Sequence, residues 1–504
     1  MAMQRLATPA FMLGALTLLV HLVVNNRYAI FGDELYFIVC GQHPAAGYVD
    51  QPPLIPWIAG ASHALFGTAL LPLRLIPALA MAATVALTAE FTRTLGGGRF
   101  AQWLAALATA LGSVFLADGF LLTTDALQPL TWLGCSFCLV RLMQTKDERW
   151  WLGFGAIAGV SLLSKYLILF FLAGLAVGIL ATPLRRSLLR PWLYAGAVIA
   201  LAFAAPSVLW QAARGWPFLE LNENAMHGKN LVLSPLAFFG QQILFVSPAV
   251  ALIWLTGLWR WSVRPEMPEL RVFPIAYAVM FALFVTLHGK SYYLTPIYPV
   301  LLSAGALSIE ARRKAPVPRG VTLAIVTAVG FLLALLTLPI LPPGDYRSLA
   351  RTLHIPSGAA ATENHAPSPL PLHLAGQFGW RDMARKIAAV YNALPPEERA
   401  HAVFFARDYA EAGALDIYGP ALHGPPVTSS HNNYYLWGPK GDGAVVITLG
   451  RDVTPLLANY RDVTVVGRID NPYAESWETG LPILVLRHPR VPLAVLWPKL
   501  KHYD

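Results

Sequence analysis

The sequence predicts a polytopic α-helical membrane protein with a soluble α/β domain towards its C-terminal end. Three observations carry this. Hydrophobic residues make up 56% of the chain and charged residues only 13%, against roughly 25% charged in a soluble domain. Long apolar runs recur from Phe11 to Leu341, each about long enough to cross a hydrocarbon core of ~30 Å. Beyond Leu341 the runs stop, and short β-branched segments alternate with helical patterns, as in a small α/β layer.

Taken in order, the runs give about eleven spans. They lie near 7–24, 70–92, 100–117, 121–142, 150–164, 166–182, 191–210, 236–258, 272–288, 292–309 and 320–341. The first follows Arg5 without a small-residue cleavage pattern and reads as an uncleaved anchor. Residues 25–69 form the first loop. Within it, Pro53 to Gly67 is apolar, short and proline-started, which predicts a helix lying at the interface. Together, 1–341 read as the membrane domain. Pro342-Pro343-Gly344 ends the last span, and 342–375, rich in Pro, Ala and His, read as a linker. In 376–504 helices are expected over Asp382 to Asn392 and Tyr409 to Tyr418. Strands are expected over His401 to Ala406, 445–448, 463–466 and 482–486. No solenoid repeat is present.

Charge placement sets the orientation. Arg5; Arg93 and Arg99; Arg141, Lys146 and Arg149; Arg185, Arg186 and Arg190; Arg260, Arg264 and Arg271; and Arg312, Arg313, Lys314 and Arg319 fall in one set of loops. The alternate loops carry fewer. This positive-inside pattern puts the N-terminus in the cytoplasm and, with an odd span count, the C-terminal domain outside. It also accounts for the net charge of +9 without nucleic acid. Cys40, Cys135 and Cys138 make no disulfide framework; Cys135 and Cys138 read as small packing residues in a helix.

The loops of the outer side hold the ionisable residues that could carry chemistry. Carboxylates beside a strongly apolar chain are costly and tend to be functional. Asp33 and Glu34 follow the first span in Phe31-Gly32-Asp33-Glu34-Leu35-Tyr36. A carboxylate there suits a general base taking a proton from an acceptor hydroxyl, or Asp33 caps a helix over Glu34 to Gln42. Asp50, before Gln51-Pro52-Pro53, is either a turn residue or a second site carboxylate. Asp125, at the outer end of the fourth span, is a helix cap or a site residue. Lys165 either snorkels or anchors a phosphate. Lys290 with Tyr292 and Tyr293 reads as an aromatic belt or as a grip on a lipid phosphate. His227 and Lys229 are weaker candidates. No G-x-x-x-x-G-K-[ST], H-E-x-x-H or other persuasive metal set occurs, so no metal or cofactor is called for.

Several of these motifs together resemble a family. Phe31 to Tyr36, Gly47-Tyr48-Val49-Asp50-Gln51-Pro52-Pro53-Leu54, Thr124-Asp125, Ser164-Lys165-Tyr166, Lys290-Ser291-Tyr292-Tyr293-Leu294, Gly379-Trp380 and Tyr434 to Pro439 are similar to motifs of bacterial protein-mannosyltransferase-like (PMT-type) enzymes. These are integral-membrane glycosyltransferases of the GT-C class, related to lipid A aminoarabinose transferases. The resemblance implies a GT-C-like fold in the bacterial cytoplasmic (inner) membrane. It implies a polyprenyl-phosphate sugar as donor, and a glycolipid such as lipid A, a polysaccharide or a protein as acceptor. Transfer takes place outside that membrane, with inversion at the anomeric carbon. Asp33 falls on the catalytic base, Glu34 on its acidic neighbour, and Asp50 and Asp125 on site carboxylates. Lys165 and Lys290 fall on donor-phosphate contacts, with Tyr292 and Tyr293 beside them. Gln51 stands where relatives commonly carry His or Lys. The competing reading is a transporter or flippase of lipid-linked sugars. It calls for charges near mid-span, whereas here they gather at the outer ends. A non-catalytic assembly role leaves the acidic pair and the lysines unexplained.

Overall fold

The computed structural model describes residues 8–312, 317–356, 358, 361–450 and 454–504; Arg5, Arg313 and Lys314 lie outside them. The principal helices of the first two-thirds are α1 (Pro9–Val24), α2 (Gly32–Gln42), α3 (Leu54–Phe66), α4 (Leu75–Thr94), α5 (Arg99–Ala110), α6 (Ser113–Asp118), α7 (Gln128–Thr145), α8 (Trp150–Ser164), α9 (Ile168–Ala181), α10 (Pro191–Ala212), α11 (Pro235–Val246), α12 (Ala251–Val263), α13 (Val272–Thr286), α14 (Tyr298–Glu310) and α15 (Arg319–Thr337). Among the described residues, five helical segments are long and apolar enough to cross a membrane. Two bent pairs bring this to seven. The outermost behave as lipid-facing helices: Leu201 and Leu209 on α10 and Phe331 on α15 are all more than 60% exposed. An apolar face is stable in that position only in a non-aqueous solvent.

Several expected spans are interrupted. The run 100–117 breaks at Leu111-Gly112, where a Cβ on Gly112 would lie 2.8 Å from the Val246 carbonyl. The run 121–142 becomes helical only from Gln128. The run 236–258 turns by 99° between α11 and the segment opened by Pro248, because proline removes a helical hydrogen bond and clashes with the preceding turn. The run 292–309 opens with a tight 3₁₀ turn, Ser291–Ile297, before α14.

The first loop is a helical pair. In α2 the Phe31 amide donates to Glu34 Oε2 at 2.9 Å, so Glu34 closes the first turn and Asp33 is not the cap. Helices α2 and α3 touch backbone to backbone at Gly41 and Gly60. A Cβ on Gly41 would lie 2.2 Å from the Pro56 carbonyl oxygen.

The C-terminal part begins with α16 (Pro343–Thr352), inside the stretch expected as linker. Its continuation is tied down as well: Leu231 N donates to Thr362 O, Asn364 N donates to Lys229 O, and Gln241 Nε2 donates to Ala361 O. Next come α17 (Trp380–Ala393), α18 (Tyr409–Tyr418) and a five-stranded sheet. Its strands are β1 (Ala402–Ala406), β2 (Val427–Ser429), β3 (Val445–Leu449), β4 (Tyr460–Ile469) and β5 (Leu481–Pro489), in the order β2-β1-β3-β5-β4. β1 runs parallel to β2 and β3, while β5 is antiparallel to β3 and β4. β1 and β3 are buried throughout, as strands covered on both faces must be. Leu35, Tyr36 and Val39 of α2 share one apolar core with Trp380, Ile387, Phe404, Leu415 and Val485. The first loop and the C-terminal sheet are therefore packed as one body. Gly413 of α18 sits directly on the α2 backbone, its Cβ position 3.1 Å from the Leu35 carbonyl carbon.

A buried ion pair holds this junction. Arg74 donates from Nε to Glu34 Oε1 at 2.9 Å and from Nη2 to Oε2 at 2.8 Å, and both side chains are fully buried. Removing one partner strands a buried charge, which costs about 3–5 kcal/mol. Glu34→Ala is accordingly expected to lower the melting temperature of the detergent-solubilised protein sharply. A melting temperature equal to wild type contradicts this account of the junction.

Candidate active site

Consecutive residues of a helix point in different directions, and α2 separates its acidic pair in this way. Glu34 turns inward. Besides Arg74 and the Phe31 amide it accepts from the Leu122 amide at 3.0 Å. Both oxygens are consumed and no surface is left for a substrate, so Glu34, which the resemblance puts beside the base in the catalytic pair, sits here in a structural role. Asp33 turns towards the C-terminal part, where the Tyr409 hydroxyl, at the start of α18, donates to its Oδ1 at 2.9 Å.

Burial pushes the Asp33 carboxyl above its ordinary range. The Tyr409 hydrogen bond and the charges of Lys229 and Lys290 oppose that shift, and Glu363 adds to it. Asp50 stands nearby and accepts from the Tyr36 hydroxyl at 3.0 Å, which in turn accepts from Asn433 Nδ2 at 2.9 Å. Burial raises Asp50 to about 7, with Tyr36 opposing and the Asp33 charge contributing. Gln51, the next residue, is buried, and neither its amide nitrogen nor its oxygen has a partner among the described residues.

A second group lies at the helix ends. Lys165, between α8 and α9, donates to both oxygens of Asp125 at 2.7 and 2.8 Å. Asp125 is therefore an ion-pair partner and not a helix cap; α7 starts three residues later. The Lys165 ammonium also lies 4.5 Å from the Tyr293 ring centroid and 5.9 Å from that of Tyr292, in reach of a cation–π attraction. Lys290 pairs with Glu363 of the segment that follows α16. Each of these four charged side chains keeps between 15% and 19% of its surface exposed. That is enough for a ligand to reach them and too little for free hydration.

The structure thus draws Asp33, Asp50, Lys165, Lys290, Asp125, Tyr292 and Tyr293 to one region and leaves Glu34 behind it. It adds Tyr409, Glu363 and Lys229. Lys229 is 3.8 Å from Asp504 and within electrostatic reach of both Asp33 and Asp50. Among the described residues, His227 bonds only the Glu223 carbonyl of its own turn. Tyr409 and Glu363 sit in ordinary polar sequence, 376 and 73 positions from the groups they bond. No local signal announces them. A cluster of three carboxylates, Asp408, Glu411 and Glu478, also forms. Arg407 bonds the two glutamates, and Asp408 caps α18 by accepting from the amides of Ala410 and Glu411.

Asp50 gives a pH signature. Its ordinary value is 3.8 and its folded value about 7, so folding takes up a proton between these limits. Stability then falls as pH rises from about 4 to about 7 and levels off above. Asp50→Asn is expected to remove that part of the slope from a plot of melting temperature against pH. A slope that persists unchanged in the variant contradicts the assignment.

Residues 50–210 match the family model described as dolichyl-phosphate-mannose-protein mannosyltransferase. A lipid A galacturonosyltransferase, RgtD, of Rhizobium johnstonii is 29% identical over 236 residues, covering 44% of this chain and 48% of RgtD. The chain therefore matches about half the length of that curated relative. Two crystal structures of ArnT from Cupriavidus metallidurans superpose along nearly the whole chain. The one bound to undecaprenyl phosphate has a TM-score of 0.57 and 17% identity, covering 95% of this chain and 98% of that one. The apo form has a TM-score of 0.55 and 17% identity, covering 96% and 98%. In sequence the chain is similar to the mannosyltransferase family over residues 50–210, and in fold it is similar to ArnT along nearly its full length.

Proposed function

We propose that the protein is an inverting glycosyltransferase that moves a sugar from a polyprenyl-phosphate donor to an acceptor hydroxyl on the outer side of the bacterial inner membrane. One observation carries the reading: the Asp33 carboxylate is held by Tyr409 within electrostatic reach of Lys290 and Lys229. A base and the cations for a leaving phosphate therefore share one site.

In this reading the donor phosphate enters between Lys165 and Lys290 and takes over the charge now supplied by Asp125 and Glu363. Fixed cations aimed at a leaving oxygen stabilise the charge that develops on it. The acceptor oxygen attacks the anomeric carbon from the opposite face. The bond from that carbon to the phosphate oxygen breaks, and polyprenyl phosphate departs with the electron pair. The acceptor proton passes to Asp33. A carboxyl raised by burial is a better base near neutral pH than an ordinary one. Asp50 and Tyr36 orient the acceptor. Tyr292 and Tyr293 hold Lys165 and line the donor's path, and Glu34 positions Asp33 through the α2 turn. Gln51, neutral and buried, leaves the phosphate to the lysines.

The topology fits the same reading. On the sequence's count of about eleven spans over 1–341, and with the N-terminus inside, α2, Lys165, Lys290 and the 376–504 domain would lie together outside. The name of the relative RgtD puts galacturonate among donor sugars and lipid A among acceptors to be tried.

The test is transfer from a panel of radiolabelled polyprenyl-phosphate sugars in membranes holding wild type or Asp33→Asn. Loss of a general base costs typically 10²- to 10⁴-fold, and a loss of that size is expected in the variant at wild-type expression. Equal transfer by the two proteins takes Asp33 out of the mechanism. Transport of intact donor without transfer favours the flippase instead. Tyr409→Phe supplies a finer check. Losing the hydrogen bond that steadies the Asp33 carboxylate should move the acid limb of the pH–rate profile to higher pH. An unmoved limb shows that Tyr409 does not act on the base.

A further inference from the structure

Two residues past Glu363, His365 helps line a cavity of about 190 Å³, together with Arg407, Ser476, Trp477, Thr479 and Leu481. Binding pockets for drug-sized ligands run to roughly 300–1,000 Å³, so this one suits a single ring. The cavity lies between the segment that follows α16 and the turn before β5. Those two walls are tied together where Ser476 Oγ donates to the Ala366 carbonyl at 2.7 Å and Ser476 N donates to Ser368 Oγ at 3.1 Å.

Its connection to the site is a chain of contacts. Lys290 pairs with Glu363; Glu363 lies 3.6 Å from His365; and His365 stacks on Trp477 with ring centroids 4.1 Å apart. Glu475 precedes the cavity residue Ser476 in the chain. Its carboxylate has no hydrogen-bond or ion partner among the described residues, and it is within electrostatic reach of Asp33, Glu363 and Lys229 in the site and of Asp408 beside the cavity.

The lining decides the ligand class. Trp477 offers an aromatic face and an indole N–H with no partner among the described residues. Arg407 spends Nε and Nη2 on Glu411, Glu478 and the Trp477 carbonyl, which leaves Nη1 free. The Arg407 charge is already matched by the glutamates it bonds, so an incoming phosphate or carboxylate finds no free cation here. A neutral ring that packs against the stacked Trp477–His365 pair and accepts hydrogen bonds from Nη1 and the indole fits the set.

We infer that this cavity is the acceptor subsite and takes a neutral pyranose ring of the acceptor. The inference rests on the glycosyl-transfer reading for its catalytic meaning, while ring binding is testable apart from it.

The experiment uses the full-length protein in nanodiscs. Saturation-transfer NMR with methyl α-galactopyranoside and with its 6-phosphate reads binding, and acceptor and donor KM are measured in parallel. Wild type is expected to bind the neutral glycoside, and Trp477→Ala to lose the signal. Acceptor KM should rise about tenfold, the scale of one good aromatic contact, with donor KM unchanged. Trp477→Phe, which keeps the apolar face without the N–H, should fall between the two and guards against simple misfolding. Equal saturation transfer in wild type and Trp477→Ala, tighter binding of the phosphate ester, or a rise in donor KM alone overturns the assignment. If wild type transfers from no donor yet binds the glycoside through Trp477, the transferase reading falls and the ring site stands. Transfer that proceeds with no Trp477-dependent binding has the opposite meaning.

Discussion

The bidentate pair between Glu34 and Arg74 lies at the point where four stretches of chain meet. Arg74 reaches back to the carbonyls of Asn25 and Ala29 and forward to Gln377, and Glu34 takes the amide of Leu122. Charges buried this deeply persist only when every donor and acceptor is matched, so none of these segments can shift alone. The end of α1, the start of α4, the irregular stretch before α7 and the entrance to the C-terminal sheet are locked in one register. Asp33 is the next residue along the same helical turn. Its direction into the site follows from the direction of Glu34 away from it.

A second constraint comes from pairing at the site itself. Lys165 and Lys290 are partly buried cations and each holds a carboxylate, Asp125 and Glu363 respectively. Such pairs keep desolvated lysines charged and aimed, and an anionic ligand replaces the carboxylate at modest electrostatic cost. Glu363 arrives on a segment stitched to Lys229 and Asn230 by Asn364. The linker is therefore part of the wall that positions the lysine, and the C-terminal sheet contributes Tyr409 to the base on the opposite side. The membrane part alone holds neither the hydroxyl bonded to Asp33 nor the partner of Lys290.

What could be read in the sequence follows from contrast. Asp33, Asp125, Lys165 and Lys290 stand out because each is a charge beside long apolar runs, and such a run predicts its own burial. Tyr409, Glu363, Glu475 and Trp477 lie in mixed polar sequence, where a tyrosine or glutamate carries no mark of a partner hundreds of positions away. Glu34 was misplaced for a geometric reason. Neighbours in sequence look like a pair, but a helix sends them to different faces, and the Arg74 that claims Glu34 sits 40 positions on. The breaks in the runs 100–117 and 236–258 escaped because hydropathy continues across them; the constraint is steric, at Gly112 and Pro248. Strands β3, β4 and β5 were legible from β-branched runs, whereas β2, three residues long, falls below what a periodicity argument can detect.

The most direct measurement of the central claim is a structure of the full chain with a polyprenyl phosphate bound. The account predicts the phosphate between the Lys165 and Lys290 ammonium groups, with Glu363 moved off Lys290 and the Asp33 carboxylate, still bonded to Tyr409, facing the space beside the phosphate where the donor's anomeric carbon sits. A phosphate bound elsewhere, with the Lys165–Asp125 and Lys290–Glu363 pairs intact, contradicts it.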